Sequence, residues 1–448
     1  MNAIRRVRAL VLCGGLAGLT ACASGSLRVA DITPEQIPAL EAQRAAKPGD
    51  ATVLSRLGVA YFKAQRYADA QPPLDTASRI DPQNAIAAIY LGMTAEQLGD
   101  FPAARAAYQH YISVSHSRAL RHTAEQRLAL VDRRALEYQA RQALAAESTL
   151  TTEPPQPNTI AVMPFAYTGT NTQIQPLSRG LAELLVTDLA RSPRLHVLER
   201  DRMQAMLDEM HLNDQGEADP QTAVRSGHLL RAERVVQGSL TGQGNELRVD
   251  ATVVDVSSAG VVTPPSESDQ LDRLFDIEKR LAFGIFAQLG IPLTASDSVA
   301  ISQRPTENLQ AFLAFSRGLE DEDQGNYDAA RSSYAEAAQL DPGFAAARQN
   351  AASATDLSAA ASQSVTQVEA VVVQNASAET GGVPSNLTQQ VLTSTTNTTN
   401  GTPTGQQNSD AGPSNGAPSN RDPGPEVTHS DTPGQTQTTI PIVIKRPQ

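Results

Sequence analysis

The 448-residue chain has only two cysteines, no tryptophan and 4% aromatic residues. Zinc ribbons, iron–sulfur sites and disulfide-stapled folds each need several cysteines, so these classes are excluded. The formal net charge of −12 disfavours nucleic acid as a partner, because phosphate binding depends mainly on lysine and arginine. The apolar content of 40% is low for a wholly globular chain, so we expect part of the chain to build no core.

The C-terminal part of the chain is the poorest in core-forming residues. Residues 353–448 contain no aromatic residue and no methionine, and 44 of these 96 residues are Ser, Thr, Asn or Gln. Such a segment cannot offset the conformational entropy lost on ordering. We therefore predict a disordered C-terminal tail over 353–448. A short apolar run at 440–445 either adds as a strand to a sheet edge or has no role.

The N-terminus has the pattern of an export signal. Three arginines precede thirteen small or apolar residues at 9–21, a run too short to span a bilayer. The run Leu19-Thr20-Ala21-Cys22 resembles the bacterial lipobox, whose cysteine receives acyl chains such as palmitate. The resemblance implies a lipoprotein signal peptide at 1–21 and a lipid anchor on Cys22, and two or more acyl chains suffice for stable anchoring. Ala23 favours the outer membrane, whereas an ordinary secretory signal is the alternative.

A period of 34 residues follows the signal. Leu57-Gly58 recurs as Leu91-Gly92, and Leu74 recurs as Tyr108. Small residues suit the close approach of two helices, and large ones fill the space around them. The pattern resembles tetratricopeptide repeats at 51–84 and 85–118. A further copy, with Gly318 at the matching offset, predicts a single helical hairpin of the same kind at 305–350.

Two repeats bury too little surface by themselves, since about three are needed to form a stable stack. A half-repeat at 33–48 and a long helical pattern at 118–146 supply the remainder, which predicts an array over 33–146. By family resemblance, first-helix side chains line a concave face that binds a protein partner. These side chains are Ser55, Phe62, Lys63, Ile89, Glu96 and Gln97. The alternative is that the repeats only brace the neighbouring domain.

The sequence pattern changes after a proline-rich linker at 153–157. The apolar run at 159–165 predicts a buried strand, and the leucines within 177–189 lie on one helical face. Two further strands within 234–256 are joined by a glycine-containing turn, and in the second of them Arg248 and Asp250 alternate with apolar residues. Strands that alternate with helices before a hairpin predict an α/β domain with a mixed sheet at 158–292. The predicted fold is thus α/β, flanked by all-α helical hairpins.

Four segments of this domain, at 160–165, 177–189, 197–200 and 227–240, resemble the CsgG-like family, which is related to the amino-terminal domain of TolB and to the lipoprotein FlgO. CsgG oligomerises into an outer-membrane secretion pore, to which each subunit adds two amphipathic hairpins. Here the hairpin at 234–256 belongs to the domain's own sheet, so no segment is left to enter the membrane. We therefore expect a periplasmic domain held to the membrane by lipid, and a CsgG-type oligomeric export channel is the alternative.

Catalytic and metal-binding motifs are missing from the sequence. It has no P-loop and no Gly-x-Ser-x-Gly elbow, and the histidines of the α/β domain, His196, His211 and His228, lack the close helical pairing of metal sites. The run Glu199-Arg200-Asp201-Arg202 is predicted to be a solvated helix start. We expect no enzyme activity, no cofactor and no metal. The predicted function is that of a protein-binding adaptor on the periplasmic face of the outer membrane, whose partner is an unidentified periplasmic or outer-membrane protein; self-association stays open.

Overall fold

The computed structural model describes residues 28–211, 219–264 and 266–379. The predicted signal peptide at 1–21, Cys22 as the predicted lipid attachment site and the apolar run at 440–445 lie outside the described residues.

The N-terminal part of the fold consists of helices. Two short 3-10 turns, Val29–Asp31 and Pro34–Gln36, precede the first of them. The helices are α1 (Ile37–Ala46), α2 (Ala51–Lys63), α3 (Tyr67–Ile80), α4 (Ala85–Gln97), α5 (Phe101–Val114), α6 (Arg118–Ala145) and α7 (Glu147–Leu150). Side chains of Asp50, Asn84, Asp100 and Ser117 accept backbone N–H groups at the starts of α2, α4, α5 and α6, which sets where these helices begin.

Helices α2 and α3 form one hairpin and α4 and α5 the next, and each hairpin depends on a glycine in its first helix. A Cβ atom at Gly58 would lie 2.4 Å from Leu74 Cγ, and one at Gly92 would lie 2.8 Å from the Tyr108 ring. Both contacts are closer than carbon atoms tolerate, so the large side chain of the second helix needs the bare backbone of the first. The 34-residue period in the sequence therefore reports a real packing contact.

A mixed sheet follows α7. Its strands are β1 (Gln156–Val162), β2 (Ala166–Tyr167), β3 (His196–Val197), β4 (Ala232–Gln243), β5 (Glu246–Asp255), β6 (Val261–Val262) and β7 (Glu267–Gln270). The order is β3-β1-β4-β5-β6, with β1 parallel to β3 and β4, and β4 antiparallel to β5. Strand β2 also pairs with β4, and β7 with β5. The predicted α/β class with a mixed sheet is confirmed.

Helices cover both faces of this sheet. They are α8 (Leu177–Leu189), α9 (Arg200–Glu209), α10 (Pro220–Leu230) and α11 (Leu274–Gln288). Alternate residues of β1 enter different cores: Ile160 packs with apolar residues of α8 and α11, whereas Ala161 packs with those of α9 and α10. On β5, Arg248 is exposed and pairs with Asp250 at 2.8 Å, as the alternation predicts.

Up to residue 379, the described chain continues in five more helices. They are α12 (Ala295–Ile301), α13 (Leu309–Asp323), α14 (Tyr327–Leu340), α15 (Ala345–Ser362) and α16 (Val365–Asn375). The α13–α14 hairpin repeats the contact of the N-terminal repeats, since a Cβ atom at Gly318 would lie 2.5 Å from the Tyr334 ring. Helix α13 packs on α8 at Gly180, where a Cβ atom would lie 2.1 Å from Ser316 Oγ. The predicted hairpin is therefore part of the core of the α/β domain.

The start predicted for the disordered tail is wrong. Residues 353–379 continue α15 and form α16, and Ala354, Leu357, Val368 and Val372 are buried. The composition of 353–448 as a whole conceals this segment, because alanine and valine at helical spacing are confined to its first part. Residues 380–448 lie outside the described residues. Within 28–211, 219–264 and 266–379, no helix has both the length and the apolar character needed to cross a bilayer.

Candidate functional site

The six residues predicted to line the concave face lie on α2 and α4, but most of them are covered by other parts of this chain. Ser55, Phe62, Ile89 and Glu96 are buried, with exposed fractions of 6% or less. Lys63 is half-buried, and Gln97 at the end of α4 is exposed. The first helices of the repeats thus do not present an open surface in this structure, and the prediction that a partner binds these six residues stays a prediction.

The N-terminal segment covers one end of this face. Lys63 Nζ donates hydrogen bonds to the carbonyl oxygens of Val29 and Ile32, at 2.7 and 2.8 Å. Burial lowers the pKa of Lys63, although the nearby carboxylate of Glu369 opposes the shift. Beside this lysine, the Phe62 ring meets the Tyr90 ring edge-to-face at 5.1 Å between centroids. The segment before α1 is therefore fixed by α2.

Glu96 lies at the centre of a buried ionic cluster. Its carboxylate accepts hydrogen bonds from Arg127 Nε at 3.2 Å, Arg134 Nη1 at 3.0 Å and Tyr108 Oη at 3.0 Å. Arg127 is itself 2% exposed, and burial raises the pKa of the Tyr108 hydroxyl well above its usual value. A buried charge needs such partners, because its desolvation costs several kcal/mol (about 3 or more). Glu96 therefore joins α4, α5 and α6 instead of facing a ligand.

The rest of the face is covered by α16. We call the surface that carries Lys63, Tyr90, Tyr111, Ser115 and Arg127 the repeat groove. Val365, Val368, Val372 and Ala376 of the C-terminal segment belong to the same hydrophobic core as Phe62, Ile89 and Tyr90. This contact was not predicted from the sequence, although the spacing of these four residues follows one face of a helix.

Glu379 closes the far end of the repeat groove. Its carboxylate accepts hydrogen bonds from Tyr111 Oη at 2.6 Å, Ser115 Oγ at 2.7 Å and the backbone N–H groups of His116 at 2.9 Å and Ser117 at 3.3 Å. The side chain is fully buried, and it lies at the start of α6, where the helix dipole favours an anion. Burial and the bond to Glu379 raise the pKa of Tyr111.

A second ionic cluster joins α8, α9 and α13. Asp323 is paired with Arg179 Nε at 2.8 Å and with Arg200 Nη1, and its side chain is 2% exposed. Arg200 also lies 2.7 Å from Asp201 and 3.6 Å from Glu183. Helix α9 begins here as predicted, and Glu199 and Arg202 are exposed. Arg200 departs from the prediction of a solvated start, because α13, which is distant in sequence, covers most of its side chain and leaves it 12% exposed.

The pKa values at this junction reflect its burial. Burial by itself would lower the pKa of Arg200, but the surrounding carboxylates, Asp323 foremost, raise it. Burial also raises the pKa of Glu183 and of Glu322. Beside the junction lies a cleft of about 310 Å³ that these acidic side chains line together with Asn350. In the part of the chain that the structure describes, no group of three or more His, Cys, Asp or Glu residues is placed to hold a metal ion. The arrangement is that of a structural joint between helices.

A third buried group links α8 to α11. Lys279 Nζ lies 2.5 Å from Asp188 Oδ2 and 3.1 Å from Glu278 Oε2. Glu278 is fully buried, and burial, reinforced by Asp188, raises its pKa to about 8. The triad contains two acids and one base inside an apolar core, so one of its carboxyl groups is protonated near neutral pH.

Comparisons with known proteins match two parts of the chain. A family model described as the curli production assembly/transport component CsgG matches residues 141–252, and a tetratricopeptide repeat model matches residues 55–116. No curated protein sequence matches the chain. Among solved structures, the LpoB C-terminal domain from Salmonella enterica is 12% identical, with a TM-score of 0.22, over 30% of this chain and 95% of that chain.

Proposed function

We propose that this chain, which carries a CsgG-like domain and tetratricopeptide repeats, is an adaptor that binds proteins at the bacterial envelope. In this proposal the chain is anchored through Cys22 to the periplasmic face of the outer membrane. It acts by binding and not by catalysis, and its partner is a periplasmic or outer-membrane protein.

The observation that carries the proposal is the continuity of α6 across both modules. Leu120, Ala124 and Val131 near its start belong to the core of the repeats. Ala140 near its end belongs to the core formed by α9, α10 and one face of the sheet. Arg133, between these two parts, donates a hydrogen bond to the carbonyl oxygen of Glu322 in α13 at 2.9 Å. A helix shared by two cores holds the repeats in a fixed orientation to the α/β domain, which suits a scaffold that presents one partner to another.

The location is tested by removing the lipid attachment site. The Cys22→Ser protein is expected to move from the membrane fraction to the soluble periplasm, because the acyl chains supply the membrane affinity. Cys13→Ser is the matched control, since Cys13 lies within the predicted signal peptide and its replacement is expected to leave anchoring intact. A Cys22→Ser protein that remained integral to the membrane would contradict the adaptor and favour an export channel.

Partner binding is tested with a photo-crosslinking residue at Gln97, which is exposed at the end of α4 beside the repeat groove. The matched control position is Ile80 at the end of α3, which is 47% exposed. In intact cells, one envelope protein is expected to crosslink from Gln97 and not from Ile80. Equal crosslinking from both positions, or none from either, would count against a partner on this face.

A further inference from the structure

The C-terminal helix lies along the repeat groove in a defined direction. At one end, Arg127 Nη1 donates hydrogen bonds to the carbonyl oxygens of Ala360 and Gln363, at 2.8 and 3.0 Å. At the other end, Glu379 contacts the start of α6 at Ser117. Helix α16 therefore runs antiparallel to the first three turns of α6.

The contact has the apolar character of helix-in-groove recognition. Val365, Val368, Val372 and Ala376 are all at most 6% exposed, whereas Thr366 and Gln367 on the other side of the helix are exposed. Residues spaced by three and four positions form one stripe, which is how an amphipathic helix anchors in a groove.

Charge complements shape in this contact. Residues 364–379 contain two carboxylates, Glu369 and Glu379, and no Lys, Arg or His. Glu369 Oε1 accepts a hydrogen bond from Tyr90 Oη at 3.3 Å and attracts Lys63. Glu379 occupies the pocket of four donors at the start of α6. The groove thus recognises an acidic helix by an apolar stripe and a carboxylate at its end.

We propose that the repeat groove is a docking site for an acidic amphipathic helix of a partner protein, and that α16 is the resident helix which this partner displaces. Helix α16 has 11 residues, and a helix of this length is marginal outside its groove, so its release requires only the loss of the groove contacts. This inference rests on the proposed function for the existence of an external partner. It explains why the residues predicted to bind a partner are covered in this structure.

The first test asks whether the groove binds its own helix when that helix is added separately. The probe is a fluorescent peptide of residues 364–379, and the protein is the mature full-length chain carrying Cys22→Ser. Its binding is measured by fluorescence anisotropy to this chain and to the same chain with Val368→Asp and Val372→Asp. A charge at either buried position opposes insertion of the resident helix. The double variant is therefore expected to bind the peptide at least about tenfold more tightly.

The second test removes the carboxylate contact alone. A peptide with Glu379→Gln is expected to bind the double variant about tenfold more weakly, because hydrogen bonds to a charged group are lost. Tyr111→Phe in the protein removes one of the four donors and is expected to weaken binding severalfold. The control is Glu307→Gln in the protein, which removes a carboxylate at an exposed position and is expected to leave peptide binding unchanged.

If the double variant fails to fold, as judged by circular dichroism, Glu379→Gln in the protein is used in its place. This variant is also expected to bind the peptide more tightly than the parent chain, but by a smaller factor. Three results would overturn the proposal. In the first, the parent chain binds the peptide as tightly as the double variant does. In the second, the double variant fails to bind the peptide. In the third, the chain forms dimers in which a second copy supplies α16. None of these results bears on anchoring by Cys22, so they are distinct from a failure of the proposed function.

Discussion

Replacing Glu278 with glutamine is expected to change how the stability of this protein depends on pH. Burial between α8 and α11, reinforced by Asp188, raises the pKa of Glu278 from 4.5 to about 8. The folded chain therefore keeps a proton that the unfolded chain releases between these two pH values. The free energy of unfolding from this group consequently falls as the pH rises through that window and is constant on either side of it.

The size of the effect follows from the difference between the two pKa values. The two pKa values differ by about 3.5, and each pKa unit corresponds to about 1.4 kcal/mol, so the free energy of unfolding falls by up to about 5 kcal/mol between pH 4.5 and pH 8. Glutamine has the shape of the protonated acid and stays uncharged across this pH range. Glu278→Gln should therefore match the parent at pH 5 and exceed it by several kcal/mol (about 3 to 5) at pH 9.

The assay is urea unfolding followed by circular dichroism at pH 5, 7 and 9. The parent chain and Glu278→Gln are compared with Glu307→Gln, an exposed glutamate for which no pH-dependent difference from the parent is expected. If the gap between Glu278→Gln and the parent stayed constant across this range, the reasoning about the buried triad would be refuted.

Three further predictions concern packing. Asp323→Ala removes the carboxylate shared by Arg179 and Arg200 and is expected to lower the free energy of unfolding by about 3 kcal/mol, which thermal unfolding measures. A loss below about 1 kcal/mol, the value of a surface ion pair, would contradict burial of the junction. Gly92→Ala forces a Cβ atom against the Tyr108 ring and is expected to lower the free energy of unfolding by about 2 kcal/mol. Gly49 has open space around it, so Gly49→Ala is expected to leave the stability unchanged. Equal effects of the two substitutions would count against the close helix contact. Truncation after residue 363 removes α16 but keeps α15, and it is expected to destabilise the repeats, whereas truncation after 379 keeps α16 in the groove. Equal melting temperatures of the two truncated chains would show that α16 contributes nothing.

The local periodicity of the sequence was sufficient to predict much of the fold. The 34-residue period predicted the helical hairpins correctly, because Gly58 and Gly92 each face a large residue sixteen positions later, within the same hairpin. The strands and helices of the α/β domain were predicted because burial on one face imposes a period of two or 3.6 along the chain. Composition gave the wrong start for the tail, since averaging over 96 residues concealed the helical spacing of Val365, Val368 and Val372.

The sequence by itself determined the repeats, the alternation of strands and helices and the site where lipid is expected. Only the tertiary structure decided that α16 fills the repeat groove, that Arg200 pairs with the buried Asp323 and that Glu278 lies within an apolar core. The physical reason is separation along the chain. Glu379 meets Tyr111 across 268 residues, and Arg200 meets Asp323 across 123. Such contacts leave no periodic signal in either segment, because each segment shows only that it has a face to bury and not which distant residue covers it.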